Sequence, residues 1–234
     1  MRRLIVGMGL LAVAGVATAG PRAAGFDAVA ASGERLDVTG AGWGRSGDFR
    51  LGQAKGSFRR DLDRREWAIE PVAAVEHEGG LRFAVSGPEV RGRLEGRCYA
   101  YQGPDRLGGG ALTIAAAVPY GMRCAFSRDG VPTGELTLDA AFRRGVSVET
   151  ARIGEMRIGD TVLAVRSVHR FEGSRWPTSS PLGYLFEREG RAVAAVDVNG
   201  ARKRLALPRD GAQREAAIAA GLALALAWDP EDQD

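Results

Sequence analysis

Few side chains in this sequence could carry chemistry. The 234 residues hold two histidines, His77 and His169, and two cysteines, Cys98 and Cys124. A hydrolytic triad built on imidazole must use one of these two rings as its base. His77 lies between Glu76 and Glu78 and beside Gly79-Gly80, which reads as an exposed turn. His169 ends an alternating apolar run next to Arg170 and reads as a sheet residue whose ring is satisfied by its neighbours. A structural zinc site needs four ligands, and neither histidine stands at ligand spacing from the cysteines, so the metal reading is none. No Gly-x-Ser-x-Gly elbow, His-Glu-x-x-His helix or phosphate-cradling glycine loop is present, and Gly108-Gly109-Gly110 lacks the strand-to-helix context that such a loop requires. The sequence therefore assigns no catalytic residue and no cofactor. For ligand contact the candidates are Arg175, Trp176 and the nearby Tyr184, because an aromatic beside an arginine and next to Pro177 offers a stiff stacking platform. The competing reading is that Trp176 plugs one end of the core.

The N-terminus carries an address. Met1-Arg2-Arg3, the 13-residue apolar stretch Leu4 to Val16, and Ala17-Thr18-Ala19 before Gly20 have the three parts of a secretory signal peptide. The stretch is short of the roughly 20 residues that span a bilayer, so cleavage after Ala19 and no integral span are expected. Removing residues 1–19 from 234 leaves 215, enough for a single β-rich domain, 20–234, with a substantial core. The net charge of +3 loses Arg2 and Arg3 with that segment and becomes +1, which argues against nucleic acid. A periplasmic or secreted bacterial location follows. In that oxidising setting Cys98 and Cys124 are expected to pair, closing a loop worth about 3 kcal/mol.

The elements that must position these residues are mostly strands. Phe26 to Phe58 is rich in turn residues and reads as short strands with a disordered start. The mixed-charge run Arg59 to Glu66 reads as a solvated turn or helical turn. Val72 to Val75 and Leu81 to Val85 read as strands separated by Gly79-Gly80. In Val90 to Cys98 the residues Val90, Leu94 and Cys98 share one face, while Arg91, Arg93, Glu95 and Arg97 share the other. That arginine row could grip phosphates or simply be a wet sheet face. Each cysteine strand is followed by a Leu-Thr segment, at 111–116 and 135–141, which suggests two consecutive hairpins of matching register. Thr161 to Phe171 alternates. Leu182 to Arg188 and Ala192 to Val198 form a hairpin, and Asn199-Gly200 predicts a type I′ turn into Arg202 to Leu207. A C-terminal helix spans 210–228, with Asp210 as N-cap and Gln213 at N3. From Ala216 onward it has no charged face, so it must be buried in protein.

The stretch Gly183 to Asp197, the last strand and the apolar helix Gln213 to Trp228 together resemble the tubby-like fold in its LURP-one-related form. The resemblance implies a closed antiparallel barrel of about a dozen strands around a central helix. Some members of that fold bind phosphoinositides or act near bilayers, but no matching basic motif is present here, so no ligand residue is carried over. The fold class expected is mainly β, an antiparallel barrel or sandwich with a buried hydrophobic C-terminal α-helix. Two functional readings stand: an exported non-enzymatic binding or envelope-associated scaffold protein, whose partner could be a small molecule, a lipid or an envelope protein, and a periplasmic carbohydrate or ester hydrolase with a site built from distant loops.

Overall fold

The computed structural model describes residues 20–69, 72–102, 120–141, 151–209 and 211–228, with the side chains of 62–77 and 102 outside that description. The expected signal peptide therefore lies outside the described residues, as do Asp210 and the 111–116 segment. Twelve strands follow one another: β1 (Glu34–Thr39), β2 (Ser46–Leu51), β3 (Ala54–Ile69), β4 (Val72–Ser86), β5 (Arg93–Gln102), β6 (Gly121–Arg128), β7 (Val131–Ala140), β8 (Arg152–Ile158), β9 (Thr161–Val168), β10 (Gly183–Arg188), β11 (Arg191–Asp197) and β12 (Lys203–Leu207). Helix α1 (Phe26–Ser32) precedes them and α2 (Ala212–Leu226) follows. Each strand pairs antiparallel with its sequence neighbour, and β1 pairs with β12, so the sheet is a closed up-and-down barrel rather than a sandwich.

Period-two alternation builds the inner wall: Leu36 and Val38, Phe49 and Leu51, Leu81, Phe83 and Val85, Met122 and Phe126, Leu136 and Leu138, and Leu163 and Val165 are all buried. Several cross-strand pairs set an aromatic opposite a glycine, among them Phe49 with Gly56 and Phe83 with Gly96. A Cβ on Gly96 would sit 2.3 Å from the Phe83 ring, so the absent side chain is what lets the ring lie flat on the wall.

The space inside is filled by α2. Every residue from Ala216 to Leu226 is buried, and the helix touches β4 and β5 on one side and β8, β9, β11 and β12 on the other. Alanine supplies helix propensity and a narrow girth together. The helix is clamped at both ends. Near its start, Glu215 pairs with Arg128 at 3.1 Å and Arg91 at 3.4 Å, and Arg214 with Glu34 at 2.7 Å. At its C-terminus the buried Arg60 guanidinium donates to the Leu226 carbonyl and to Gly42 and Gly44, and lies over the Phe58 and Trp228 rings. A cation there suits the helix dipole, while burial lowers the Arg60 pKa to about 10.

A smaller apolar cluster lies outside the barrel. Phe26 and Val29 of α1 pack with Val168, Leu182, Leu185, Ala195 and Ala206 on the outer face of β9 to β12, which explains why these strands are apolar on both sides.

Several expectations are corrected. The 59–66 run belongs to β3, held by pairing with β4, and Gly79-Gly80 continue β4 instead of ending it. Consequently His77 lies within a strand and not at a turn; its side chain is outside the described ones. The start of the 26–58 stretch, expected to be disordered, forms α1. The cysteine strands β5 and β6 pair directly with each other. At Asn199-Gly200 only the glycine takes positive φ, and five residues join β11 to β12, with the Asp197 carboxylate accepting from the Asn199 amide at 3.0 Å. That side-chain turn replaces type I′. The N-cap of α2 is Gly211, which makes no side-chain capping bond.

Candidate functional site

Cys98 and Cys124 are register partners on β5 and β6, and they form the expected disulfide on the inner wall. Adjacent antiparallel strands bring facing Cβ atoms within bonding reach without backbone movement.

The three ligand candidates separate. Arg175 and Trp176 sit in the β9–β10 loop. Trp176 is 83% exposed and does not plug the core. Its amide donates to the Ser174 hydroxyl at 3.2 Å, which pins the indole outward. Tyr184 points into the barrel, 4% exposed, where its hydroxyl accepts from Arg152 at 3.2 Å. The alternation of β10 puts Tyr184 and Phe186 inside, so sequence proximity to Trp176 does not become spatial company.

His169 is buried and its ring is satisfied, but it lies one residue past the end of β9 and not in the sheet. Its Nδ1 is 3.1 Å from the Thr178 carbonyl and its Nε2 2.9 Å from the Ser167 hydroxyl. A carbonyl only accepts, so Nδ1 carries the proton and Nε2 accepts from Ser167. The Arg152 amide donates to the same Ser167 oxygen at 2.8 Å. A cavity of about 610 Å³ is lined by Ser167, His169, Arg166 and Arg170.

The site that sequence reading missed is on the outer wall. A groove of about 560 Å³ crosses β2 to β5. Strand register places Thr39, Arg50, Lys55, Ser86 and Arg93 side by side in one transverse row, all exposed. Arg50 and Lys55 are direct cross-strand partners of like charge, an arrangement that destabilises a sheet. Elsewhere on the wall arginines meet acids: Arg123 is bidentate to Asp139 at 2.7 and 3.0 Å, and Arg166 pairs with Glu187. Arg50 and Lys55 have no ion pair among the described residues. Arg93 is spoken for by Glu95 at 2.7 Å, and this hydrogen bond holds the Glu95 carboxyl below its usual pKa. Four residues along the same strands a second row has Arg59, Arg82 and Arg97 in register; Arg59 pairs with Asp61 at 3.3 Å, and the charge of Arg97 acts on Glu95.

The arginines of β5 were visible in the sequence as a row along one strand. What no single strand displays is that β2, β3 and β4 bring further cations alongside them, because lateral register is a property of the closed sheet. Small residues form the groove floor, among them Gly40, Gly56 and Ala84, and leave room above the wall for a ligand.

Buried Asp197 has its carboxyl pushed up, chiefly by desolvation, with the Asn199 amide and the charges of Arg204, Lys203 and Arg22 opposing. Among the described residues no cluster of His, Cys, Asp or Glu could hold a metal. Comparison with family models, with curated proteins and with solved structures finds no match to this chain.

Proposed function

We propose that this is an exported, non-enzymatic binding protein of the bacterial envelope that holds a ligand through anionic groups on the outer wall of β2 to β5. The observation that carries the reading is the cross-strand pair Arg50 and Lys55, two like charges set side by side with no ion pair among the described residues, lining a ligand-sized groove in which Asp48 is the one acid. An anion between them turns a repulsive pair into a chelating one. The disulfide is consistent with an oxidising compartment. A twelve-stranded barrel around its C-terminal helix is also the architecture that the tubby-like resemblance implies, and it supports placing the chain with that fold.

Titration calorimetry with inorganic phosphate as probe tests this. Binding is expected in the millimolar range, weakened by salt, and lost in Arg50→Glu/Lys55→Glu but kept in Arg166→Ala, whose partner lies elsewhere on the wall. Equal phosphate affinity in the double variant and the parent would refute the assignment.

A second reading, the ester hydrolase, is favoured by one observation. The chain from Ser167 through His169 to the Thr178 carbonyl has the hydrogen-bond order of an activated serine. Labelling by a fluorophosphonate probe, abolished in Ser167→Ala, would support it.

A further inference from the structure

Tryptophan is distributed along the barrel axis in a way that composition cannot show. In an antiparallel meander, the connections β1–β2, β3–β4, β5–β6, β7–β8, β9–β10 and β11–β12 all fall at one end. Trp43 is in the first of these and Trp176 in the fifth. Trp67 lies in β3 near the β3–β4 connection, and Trp228 follows the C-terminus of α2 beside Arg60. All four tryptophans of the chain therefore lie toward one end of the barrel.

Two of them face water. Trp43 is 77% exposed and Trp176 83%, the two most exposed large apolar residues among those described. Neither is loosely held. The Trp43 loop is tied by Arg60 to the carbonyls of Gly42 and Gly44 at 2.6 and 3.1 Å. The Trp176 loop is tied by Ser174, and by Thr178, whose amide and hydroxyl both donate to the His169 carbonyl at 2.6 and 3.0 Å. Arg45 in the Trp43 loop, and Arg170 and Arg175 in the Trp176 loop, are exposed, with no ion pair among the described residues.

The N-terminal segment leads to the same place. Ala23 bridges to Phe171, the Glu172 amide donates to the Arg22 carbonyl at 2.8 Å, and Asn199 donates to the Pro21 carbonyl at 3.2 Å. Gly20 thus lies beside the Trp176 loop, and the sequence before it is the apolar stretch Leu4 to Val16.

We infer that this end of the barrel seats on the surface of a bilayer containing anionic lipid, with Trp43 and Trp176 in the headgroup region and Arg45, Arg170 and Arg175 against the phosphates. An indole is amphipathic and partitions to that interface, and adjacent cations add attraction to anionic headgroups. The contact is peripheral: among the described residues no helix is long and apolar enough to cross a membrane, and the outer wall is charged.

The test uses the full chain, so that parent and variants share the same N-terminus. Flotation with vesicles of equal parts phosphatidylcholine and phosphatidylglycerol should carry the parent upward, and Trp43→Ala/Trp176→Ala should weaken partitioning by about tenfold or more. Variants keeping only Trp43 or only Trp176, with the other tryptophans replaced by phenylalanine, should show blue-shifted emission on adding vesicles. Circular dichroism melting confirms that each variant is folded. The inference is overturned if the double alanine variant floats like the parent, which would assign the binding to the apolar N-terminus, or if neither single-tryptophan emission shifts. Equal binding to pure phosphatidylcholine would overturn the role given to the arginines.

Discussion

Leu222 and Leu224 lie about 200° apart around α2, at 100° per residue, yet Leu222 is 0% exposed and Leu224 only 6%. A helix laid on a surface buries one side; a helix enclosed by a barrel buries both. Replacing either leucine by alanine removes three buried carbons and leaves a cavity. Such substitutions cost about 2.7–5.0 kcal/mol, more where the surroundings cannot collapse. Here the surroundings are a hydrogen-bonded ring of strands that cannot close in on one missing side chain, so the upper half of that range is expected for both positions. For a domain of this size each kcal/mol lowers the melting temperature by about 2–4 °C, which puts Leu222→Ala and Leu224→Ala each roughly 8–20 °C below the parent. Val131→Ala, at a residue 64% exposed, serves as control and should move it little. Far-ultraviolet circular dichroism melts of the three variants at neutral pH measure this. A large drop for one leucine with a shift under about 2 °C for the other would show a one-sided helix and refute the enclosed packing.

Three further outcomes follow from the same structure. Cys98→Ser/Cys124→Ser opens a 26-residue loop and should cost about 3 kcal/mol, and reduction of the parent should reproduce the loss in chemical denaturation. Gly96→Ala forces Phe83 off the wall and should cost about 1–3 kcal/mol; adding Phe83→Leu should recover part of it in a double-mutant cycle, and strict additivity would contradict the contact. For Asp197 the raised carboxyl means that the folded protein holds this proton more tightly than the unfolded chain. Its contribution to stability is therefore fully present below the unfolded value of 3.8 and is lost as pH rises through the folded value. Asp197→Asn keeps an acceptor for the Asn199 amide, and should raise the melting temperature at pH 7 and flatten its acid-side slope; the same slope in both proteins would exclude the assignment.

What the sequence made legible was whatever depends on neighbours along the chain. The apolar, uncharged run from Ala216 onward implies burial on all sides because nothing in it can face water, and Gly190 marks the β10–β11 turn because glycine accepts positive φ. Local patterns failed where tertiary pairing overrode them. The charges of 59–66 look like a solvated turn until β4 lies alongside and fixes them as strand. The glycines at 79 and 80 look like a break until residues 61 and 62 pair opposite. Helix α1 has only Phe26 and Val29 fully buried, too short a stripe to announce itself. Trp176 could be core or surface on sequence grounds, and the Ser174 and Thr178 hydrogen bonds decide it. Tyr184 and Trp176 are eight residues apart in number, yet one faces the barrel interior and the other the solvent. The basic groove was invisible for a different reason, since its row runs across strands drawn from residues 39 to 93.

Because the interior is occupied by the last element of the chain, the order of synthesis is the reverse of the order of need. Strands β1 to β11 emerge before anything exists to fill the space they enclose, and β1 must wait for β12 before the ring has no edge. A nascent chain therefore gains little from partial folding: the wall without the helix is an apolar lining open to water, and the helix without the wall is an aggregation-prone segment. The barrel therefore gains its stability only when it is whole. This also makes the fifteen residues of α2 a built-in completeness check, since a product cut short before Ala212 retains the sequence of all twelve strands and lacks the helix that fills them.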